Sequence, residues 1–527
     1  MRLLFLALTS LLLASTPSAE AGDKIVRDFR YVADTAPALQ LSNPAALTLW
    51  VGKISSVEIE GTKGNGPLVP LEGSPDDFSI GAGTESFYRM SDRIAFRGKL
   101  FWRNFQGKDM GGPVLMNPDM HPVNFYESVD TTTGVKKRES YGLAGSFALN
   151  LGSKWALGLG LEYECGDQNK IKDPRFTNVL MDLRFTAGVA FKPSENVFLG
   201  LSLLYRDAIE QMRGGIYGTT DKQYYVLTDK GGFIGTSSAL EGDNNYVSAQ
   251  NLRPMDNSYY GASFQALLWK CFSNEFSYSV RKGYYGKKAE SSPLFFNFSG
   301  TLAGYKGLLQ LPAGNDLHRV AVELEYERLD NTENTFRYVT PEGGSTIVDY
   351  ISSNNILNRQ DISASLDYRW YINADGRRPG ATVGAKAGYV SRNQLTSLYP
   401  VWRKHNFTSI NAALFGQKVF MSGVMSYVVD ADLFAAAGFG LDKQDGVYVS
   451  GATSSLKSFD NYLGRYFEYK TKPRAGASLG FTVARLFRGG FEPYITVSDC
   501  FEYLLSEPQF LAGRMRNLAC ITVGCNF

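Results

Sequence analysis

The sequence predicts an all-β fold: a transmembrane, antiparallel, up-and-down β-barrel. Three observations carry that prediction. Most of the chain alternates apolar and polar residues with period two, as strands with one greasy and one wet face do. These stretches come in pairs joined by short turns, and long polar connections separate the pairs, which is the asymmetry of membrane barrels. The chain also ends on such a stretch. Counting back in twos, Cys525, Val523, Ile521 and Ala519 form an apolar face, while Asn526, Gly524, Thr522 and Cys520 are small or polar, and Phe527 closes the chain.

At the other end, Arg2 precedes an apolar run over residues 3–14, and Ala19-Glu20-Ala21 supplies small residues for cleavage. This pattern predicts a secretory signal removed after Ala21. The run is too short to cross a bilayer as a helix, and no other stretch reaches the required length. No cysteine follows it, so a lipid on the mature N-terminus is not expected. The expected organisation is a signal at 1–21, a hatch or a periplasmic tail at 22–46, and one barrel at 47–527. Composition agrees: 54 Gly, 30 Tyr and 34 Phe in 527 residues suit strands that cross an aromatic-rich interface. A mean hydropathy of −0.18 excludes a helical membrane protein but not a barrel with a polar lumen. A net charge of +2 gives no surface for nucleic acid.

Taken in order, residues 47–61 form a first candidate strand whose alternation is poor. Residues 78–88 and 94–102 alternate well, and a long connection at 106–137 carries Pro113, Pro118 and Pro122, which bar it from a sheet interior. Clean pairs follow at 141–149 with 155–163 and at 179–191 with 197–205. Further pairs lie at 260–268 with 276–280, 296–309 with 317–329, 362–370 with 381–389, 405–420 with 424–439, and 472–487 with 491–505. Long loops are expected at 207–255 and 330–359, and parts of 214–228 are read as strand extensions beyond the membrane. With both termini on one side, an even count of about eighteen strands (range ~14–18) satisfies the parity of such barrels. The last strand closes either onto 47–61 or onto 78–88, which would lengthen the hatch. A secreted β-propeller would need neither outward-apolar strands of this length nor a terminal Phe.

The final strand with its terminal aromatic resembles the closing strand of bacterial outer-membrane barrels, which the barrel-assembly machinery recognises. The heptad at 41–47, with Asn43, Pro44 and Ala45 at its centre, resembles the N-P-A-x-L element of FadL-type fatty-acid channels and of the barrels that act as shuttles in type IX secretion. That resemblance implies an N-terminal segment folded into the barrel as a hatch; the residues alone read equally as a turn before a strand. FadL-type barrels have fewer strands, a departure from that family. The layout also resembles outer-membrane barrel families of anaerobic gut-type bacteria whose cargo is unassigned.

Charges of both signs fall at inward positions: Glu85, Arg89, Arg97, Lys99, Arg103, Asp182, Arg184, Arg319, Glu323, Glu325, Asp361, Asp367, Arg369 and Lys386. Strand order puts Glu85 and Arg89 beside Arg97 and Lys99, and Asp367 and Arg369 near Lys386. Such charges either pair to fill a wide lumen or form a constriction that screens solutes. Gly476-Ala477-Ser478-Leu479-Gly480 matches a nucleophile elbow, but that motif requires a strand–turn–helix, and here the glycines and the serine share one parity of a continuous strand. The three histidines, His121, His318 and His405, and the five cysteines lack metal-ligand spacing. Neither an enzyme nor a cofactor is expected. Cys500 and Cys520 share the inward face of the last two strands, where a disulfide depends on strict geometry. Loop aromatics, including Tyr217, Tyr224, Tyr225, Phe233, Tyr246, Phe336, Tyr350 and Trp402, either grip a ligand or pack together as a lid. The expected function is passage of a small solute, hydrophobic ones included, across the outer membrane. The alternative is a non-conducting accessory or shuttle barrel of a secretion or TonB-dependent uptake complex. Outer-membrane lipid and the assembly machinery are the expected partners.

Overall fold

The computed structural model describes residues 28–128, 132–219, 221–240, 246–289, 292–374, 378–487 and 489–527. The signal and its cleavage site lie outside the described residues. Eighteen strands close one antiparallel sheet: β1 (Lys53–Asn65), β2 (Asp76–Arg89), β3 (Ile94–Met110), β5 (Gly134–Leu151), β6 (Trp155–Lys170), β7 (Arg175–Ser194), β8 (Val197–Gly215), β11 (Arg253–Leu268), β12 (Phe272–Ala289), β13 (Ser292–Ala313), β14 (Asp316–Val339), β15 (Ile347–Ile372), β16 (Ala381–Leu398), β17 (Val401–Ser422), β18 (Met425–Val447), β20 (Arg474–Arg485), β21 (Glu492–Leu504) and β22 (Met515–Asn526). Each pairs with the next in chain order, and β22 returns to β1 from Ser56↔Asn526 to Asn65↔Asn517. Closure removes both sheet edges, leaving no unpaired ladder.

The outer face is apolar. One row across neighbouring strands reads Tyr368, Ala385, Leu414, Leu433, Ala477 and Phe501. Leu414 and Leu433 are 64% and 63% exposed, and the same holds for much of the belt, from Leu203 and Phe264 to Leu479 and Ile521. Isolated apolar side chains on a soluble surface are ordinary, but a continuous belt is not. Its natural solvent is hydrocarbon. Trp155, Trp269, Phe420, Phe491 and Phe527 border it near the short turns, where aromatic rings suit a membrane interface.

The first candidate strand is corrected at its start. Residues Pro44–Leu49 form a 3-10 turn, because Asn43 caps it by accepting the N–H of Ala45 and Pro44 has no N–H to lose at a helix start. The strand begins at Lys53, and it is this strand, not β2, that meets the chain end.

The turn end of the barrel carries both termini of the sheet and short connections such as 152–154, 195–196, 314–315 and 423–424. At the loop end, three connections contribute a second, four-stranded sheet: β4 (Asn124–Glu127) pairs with β9 (Tyr225–Asp229), β9 with β10 (Ile234–Ala239), and β10 with β19 (Lys457–Ser458). A helix, here α3 (Asp460–Thr471), follows β19. Val114, Leu115, Phe125, Val226 and Ile234 of these connections pack with Met212, Met255, Tyr285, Phe296 and Leu357 of the wall in one buried cluster. A folded cap therefore covers the loop end.

The expected loop at 330–359 is instead a ladder. β14 and β15 pair through two register shifts to Val339↔Ile347, leaving only 340–346 as a turn. Beyond the membrane a ladder needs no apolar outer face, so polar stretches such as Asn331-Thr332-Glu333-Asn334 remain strand without alternating. Likewise β8 runs to Gly215 and β11 begins at Arg253, so the loop expected at 207–255 shortens to 216–252 and holds β9 and β10. Of residues 214–228, read as containing strand extensions, Gly214 and Gly215 do extend β8 against β7, whereas 225–228 belong to the cap sheet.

Placing a cation in the outer belt tests this orientation. Leu433→Arg is expected to destabilise the folded chain in lipid vesicles by about 2–4 kcal/mol in urea titrations, the cost of a charge near mid-bilayer. Unchanged stability would mean that Leu433 does not face lipid.

Candidate lumen site

The inward face is built from small residues where the chain's own N-terminal segment runs beside it, and from charges elsewhere. Residues 28–50 comprise α1 (Phe29–Thr35), α2 (Pro37–Gln40) and the 3-10 turn. Asn43 is 1% exposed, and its amide donates to the carbonyls of Val189 and Leu201 at 3.2 and 3.3 Å and to Gln265 Oε1 at 3.0 Å. Glycine is required on the facing wall. A Cβ on Gly158 would sit 2.2 Å from the Ala45 nitrogen, and one on Gly188 2.0 Å from Asn43 Oδ1. Ser42 donates its N–H to Glu275 Oε2 at 2.9 Å and its hydroxyl to Oε1 of the same carboxylate.

The same segment also touches other parts of the wall. The Arg89 guanidinium donates to the carbonyls of Thr48 and Trp50 at 2.8 and 2.9 Å. On the β13–β15 side, Gln310 donates to the Thr35 carbonyl at 2.9 Å and Arg319 to the Asp34 carbonyl at 3.0 Å, while Arg369 pairs with the Asp34 carboxylate. Arg378 pairs with Asp28 at 2.9 Å. Residues 28–50 thus bond to inward groups on well-separated strands.

The inward charges fall into clusters. Glu85 binds Arg97 at 2.8 Å and Lys99 at 3.9 Å, but Arg89, expected beside them, turns to the N-terminal segment instead. Asp182 pairs with Arg206 at 2.5 Å, and Arg184 with Glu162 at 3.7 Å. Asp367 gathers Arg369 at 2.9 Å and both Arg319 and Lys386 at 3.6 Å. Glu323 reaches Lys306 at 3.8 Å, and Asp361 binds Arg392 at 2.8 Å. Among the described residues Arg103 and Glu325 form no ion pair. The sequence reading missed Arg206 and Lys306, although their inward parity and register made them findable. It also missed Asp34 and Glu275, whose role depends on where a non-strand segment runs.

Cavities surround the segment. One of about 710 Å³ is lined by Tyr31, Arg369, Lys386, Phe415, Asp430 and Asp432. Another of about 480 Å³ meets Glu60, Glu85, Lys99 and Arg103, and a third of about 360 Å³ meets Asn43, Arg97, Arg206, Glu275 and Glu325. Their linings mix charges, hydroxyls and a few rings.

Other candidates dissolve into structure. Ser478 lies mid-strand in β20, opposite Asp432 and Cys500, with no turn and no helix to expose it. His318 Nδ1 sits 3.0 Å from the Tyr368 hydroxyl beside Trp370. His121 and His405 are 6% and 2% exposed at the cap. All five cysteines are free; Cys520 lies opposite Ser498 and Cys500 opposite Leu518, a diagonal offset. Of the loop aromatics, Tyr224, Tyr246 and Phe336 pack on the cap core and Phe233 in a second cluster, while Tyr217 and Tyr350 remain exposed.

If the glycine wall seats the segment, Gly158→Val must dislodge it. In a chain lacking the native cysteines, Ala46→Cys is expected to resist maleimide while Gly158 is kept. It should label readily once Gly158→Val is added, the barrel still resisting cold SDS. Equal protection in both would contradict the packing.

Solved structures to which the chain is similar include the ferric preacinetobactin receptor BauA of Acinetobacter baumannii, at 7% identity and TM-score 0.36 over 89% of this chain and 80% of that one. The ferric-catecholate import receptor Fiu of E. coli K12 is similar at 10% identity and TM-score 0.38, over 90% and 81% of the two chains. A Pseudomonas aeruginosa FadL homologue is similar at 9% identity and TM-score 0.31, over 97% and 99%. No curated protein matches the chain. Residues 44–527 match a single family model across the whole barrel, and the chain belongs to that family, the family of unknown function DUF6850.

Proposed function

We propose that the chain is a bacterial outer-membrane barrel that admits a small polar solute, with residues 22–46 acting as a hatch at the periplasmic end. The apolar belt around a polar lumen supports the membrane location, and the secretory signal supports export. Under this reading the turn end is periplasmic and the cap faces outward. The observation that carries the transport reading is the set of lumen cavities flanking residues 28–50, which charges of both signs line. That lining favours a polar or zwitterionic solute over the hydrophobic one that the FadL-type heptad suggests, because a desolvated apolar ligand gains nothing beside Arg369, Lys386 and Asp432. The mixed signs argue against a dedicated anion or cation pore.

One observation favours the second reading, a non-conducting accessory barrel of a secretion or uptake complex: the cap has its own packed core. Conductance separates the two. The purified full chain in planar bilayers is expected to pass little current, and deletion of residues 22–46 to raise it several-fold. Silence in both forms, with a protein partner retained through detergent purification, would sink the transport reading and support the accessory one.

A further inference from the structure

Beneath the cap lies a small cavity separate from those around the N-terminal segment. It is enclosed by the β1–β2 and β3–β5 connections, the turn between β9 and β10, α3, and the inner wall of β15–β17. Its volume of about 40 Å³ suits roughly three waters or one small polar head, at about 10–15 Å³ per water.

Three of its side chains present acceptors that no donor meets, while the two Arg359 nitrogens that also lack a hydrogen bond are turned toward Asp361 and Glu327. His405 Nδ1 lies 2.6 Å from the Asp442 carbonyl, which can only accept, so Nδ1 carries the proton and Nε2 is a bare acceptor. That Nε2 is buried and has no hydrogen-bond partner. His121 repeats the arrangement: Nε2 faces the Glu210 carboxylate at 3.6 Å, and Nδ1 is buried without a partner. Asn124 donates its amide to the Pro118 carbonyl at 3.0 Å, which leaves its buried Oδ1 unpaired. Three orphaned acceptors in one small space are costly unless a donor meets them.

The charges point the same way. Arg392 is engaged by Asp361 at 2.8 Å, Asp119 at 3.4 Å and the Tyr466 hydroxyl at 3.1 Å. Arg359 is met by Asp361 at 3.1 Å and Glu327 at 3.9 Å. Glu327 also takes Arg281 at 2.7 Å and Asp119 takes Lys470 at 3.0 Å, and two further carboxylates line the cavity, so that carboxylates outnumber cations by one. Asp229 is 3% exposed and accepts the N–H groups of Gly231 and Phe233, but neither it nor Glu72 forms an ion pair among the described residues. Burial pushes Asp229 up to about 7, the response of a carboxyl that forms no ion pair. The rings of Tyr126, Phe233 and Tyr466 line the remaining wall, Phe233 lying 5.7 Å from Tyr126 and 5.3 Å from Tyr466. Aromatic faces beside a surplus carboxylate attract organic cations. No three His, Cys, Asp or Glu side chains come close enough to hold a metal ion among the described residues.

We infer that this cavity binds the primary ammonium group of a small amine, which would supply three N–H donors to His405, His121 and Asn124 and a positive charge to Asp229 and Glu72. The site goes beyond the conduit reading and stands or falls without it.

The test is saturation-transfer NMR on the full chain in detergent micelles, with ethanolamine as probe and ethylene glycol, of similar size but without the ammonium, as control. Ethanolamine is expected to bind saturably at one site per chain and ethylene glycol not to displace it. Asp229→Asn should weaken ethanolamine binding at least tenfold, and Glu72→Gln, in an exposed connection, should weaken it as well. Asp349→Asn, on the distant β14–β15 hairpin, should leave it unchanged. Equal binding of both probes, no saturable binding of either (a cavity filled by water only), or undiminished ethanolamine binding in the two pocket variants would overturn the assignment.

Discussion

The structure depends on the closure of one ladder. In hydrocarbon no water is available for backbone N–H and C=O groups, so a sheet that crosses it must leave none unpaired. The pairing of β22 with β1 meets that demand, down to the terminal residue, where Phe527 and Ser55 exchange N–H···O bonds of 2.8 and 3.0 Å. The register of this seam also fixes which face is which. A slip of one residue would turn Ile521 and Val523 inward and present Thr522 and Cys520 to lipid.

Closure with eighteen strands creates the next problem. A barrel of that size encloses a lumen wider than side chains can fill, and leaves an aqueous channel unless something occupies it. Two parts of this chain lie there. Residues 28–50 bond to the inner wall near the turn end, and three connections converge into a cap with an apolar core at the other. Between them, most inward charges are mutually compensated, as in Glu85 with Arg97 and Asp367 with Arg369, Arg103 and Glu325 being the exceptions among the described residues. The cap is fastened by more deeply buried ions. Arg281 and Arg403 are each 1% exposed, the first bound to Glu327 at 2.7 Å and Asn257, the second to Asp445 at 2.6 Å and to the Gly232 and Phe233 carbonyls. Removing one partner of such a group strands a buried charge, so these contacts hold the cap in one position more than they add to net stability.

Much of the barrel was legible because the bilayer imposes period two wherever a strand crosses it. Stretches such as 155–163 and 179–191 announce themselves, and the count of eighteen follows from the turns. Legibility failed where that constraint lapses. Above the membrane the β14–β15 hairpin continues in residues like Asn331 and Asn334, whose polarity reads as loop because nothing there requires an apolar face. The start of β1 was misplaced because Leu47 and Leu49 are apolar for a different reason, burial of a 3-10 turn against the inner wall. Pairings within the lumen were partly readable: register gave Asp367 beside Lys386, but Arg89 bonding to Thr48 and Asp34 meeting Arg369 depend on a segment with no periodicity to follow. The cap was least visible, since its core joins Phe125, Ile234 and Leu357 across more than two hundred residues.

The central claim is that residues near Asn43 occupy the lumen against the β7 wall. An ideal Cβ on Gly188 would stand 2.7 Å from Asn43 Cγ, so cysteines at both places come within disulfide reach. In the otherwise cysteine-free chain, Asn43→Cys with Gly188→Cys is expected to form that bond in the native membrane, seen as a mobility change reversed by reductant. Two thiols that both alkylate freely, in a chain whose barrel is folded, would contradict the account.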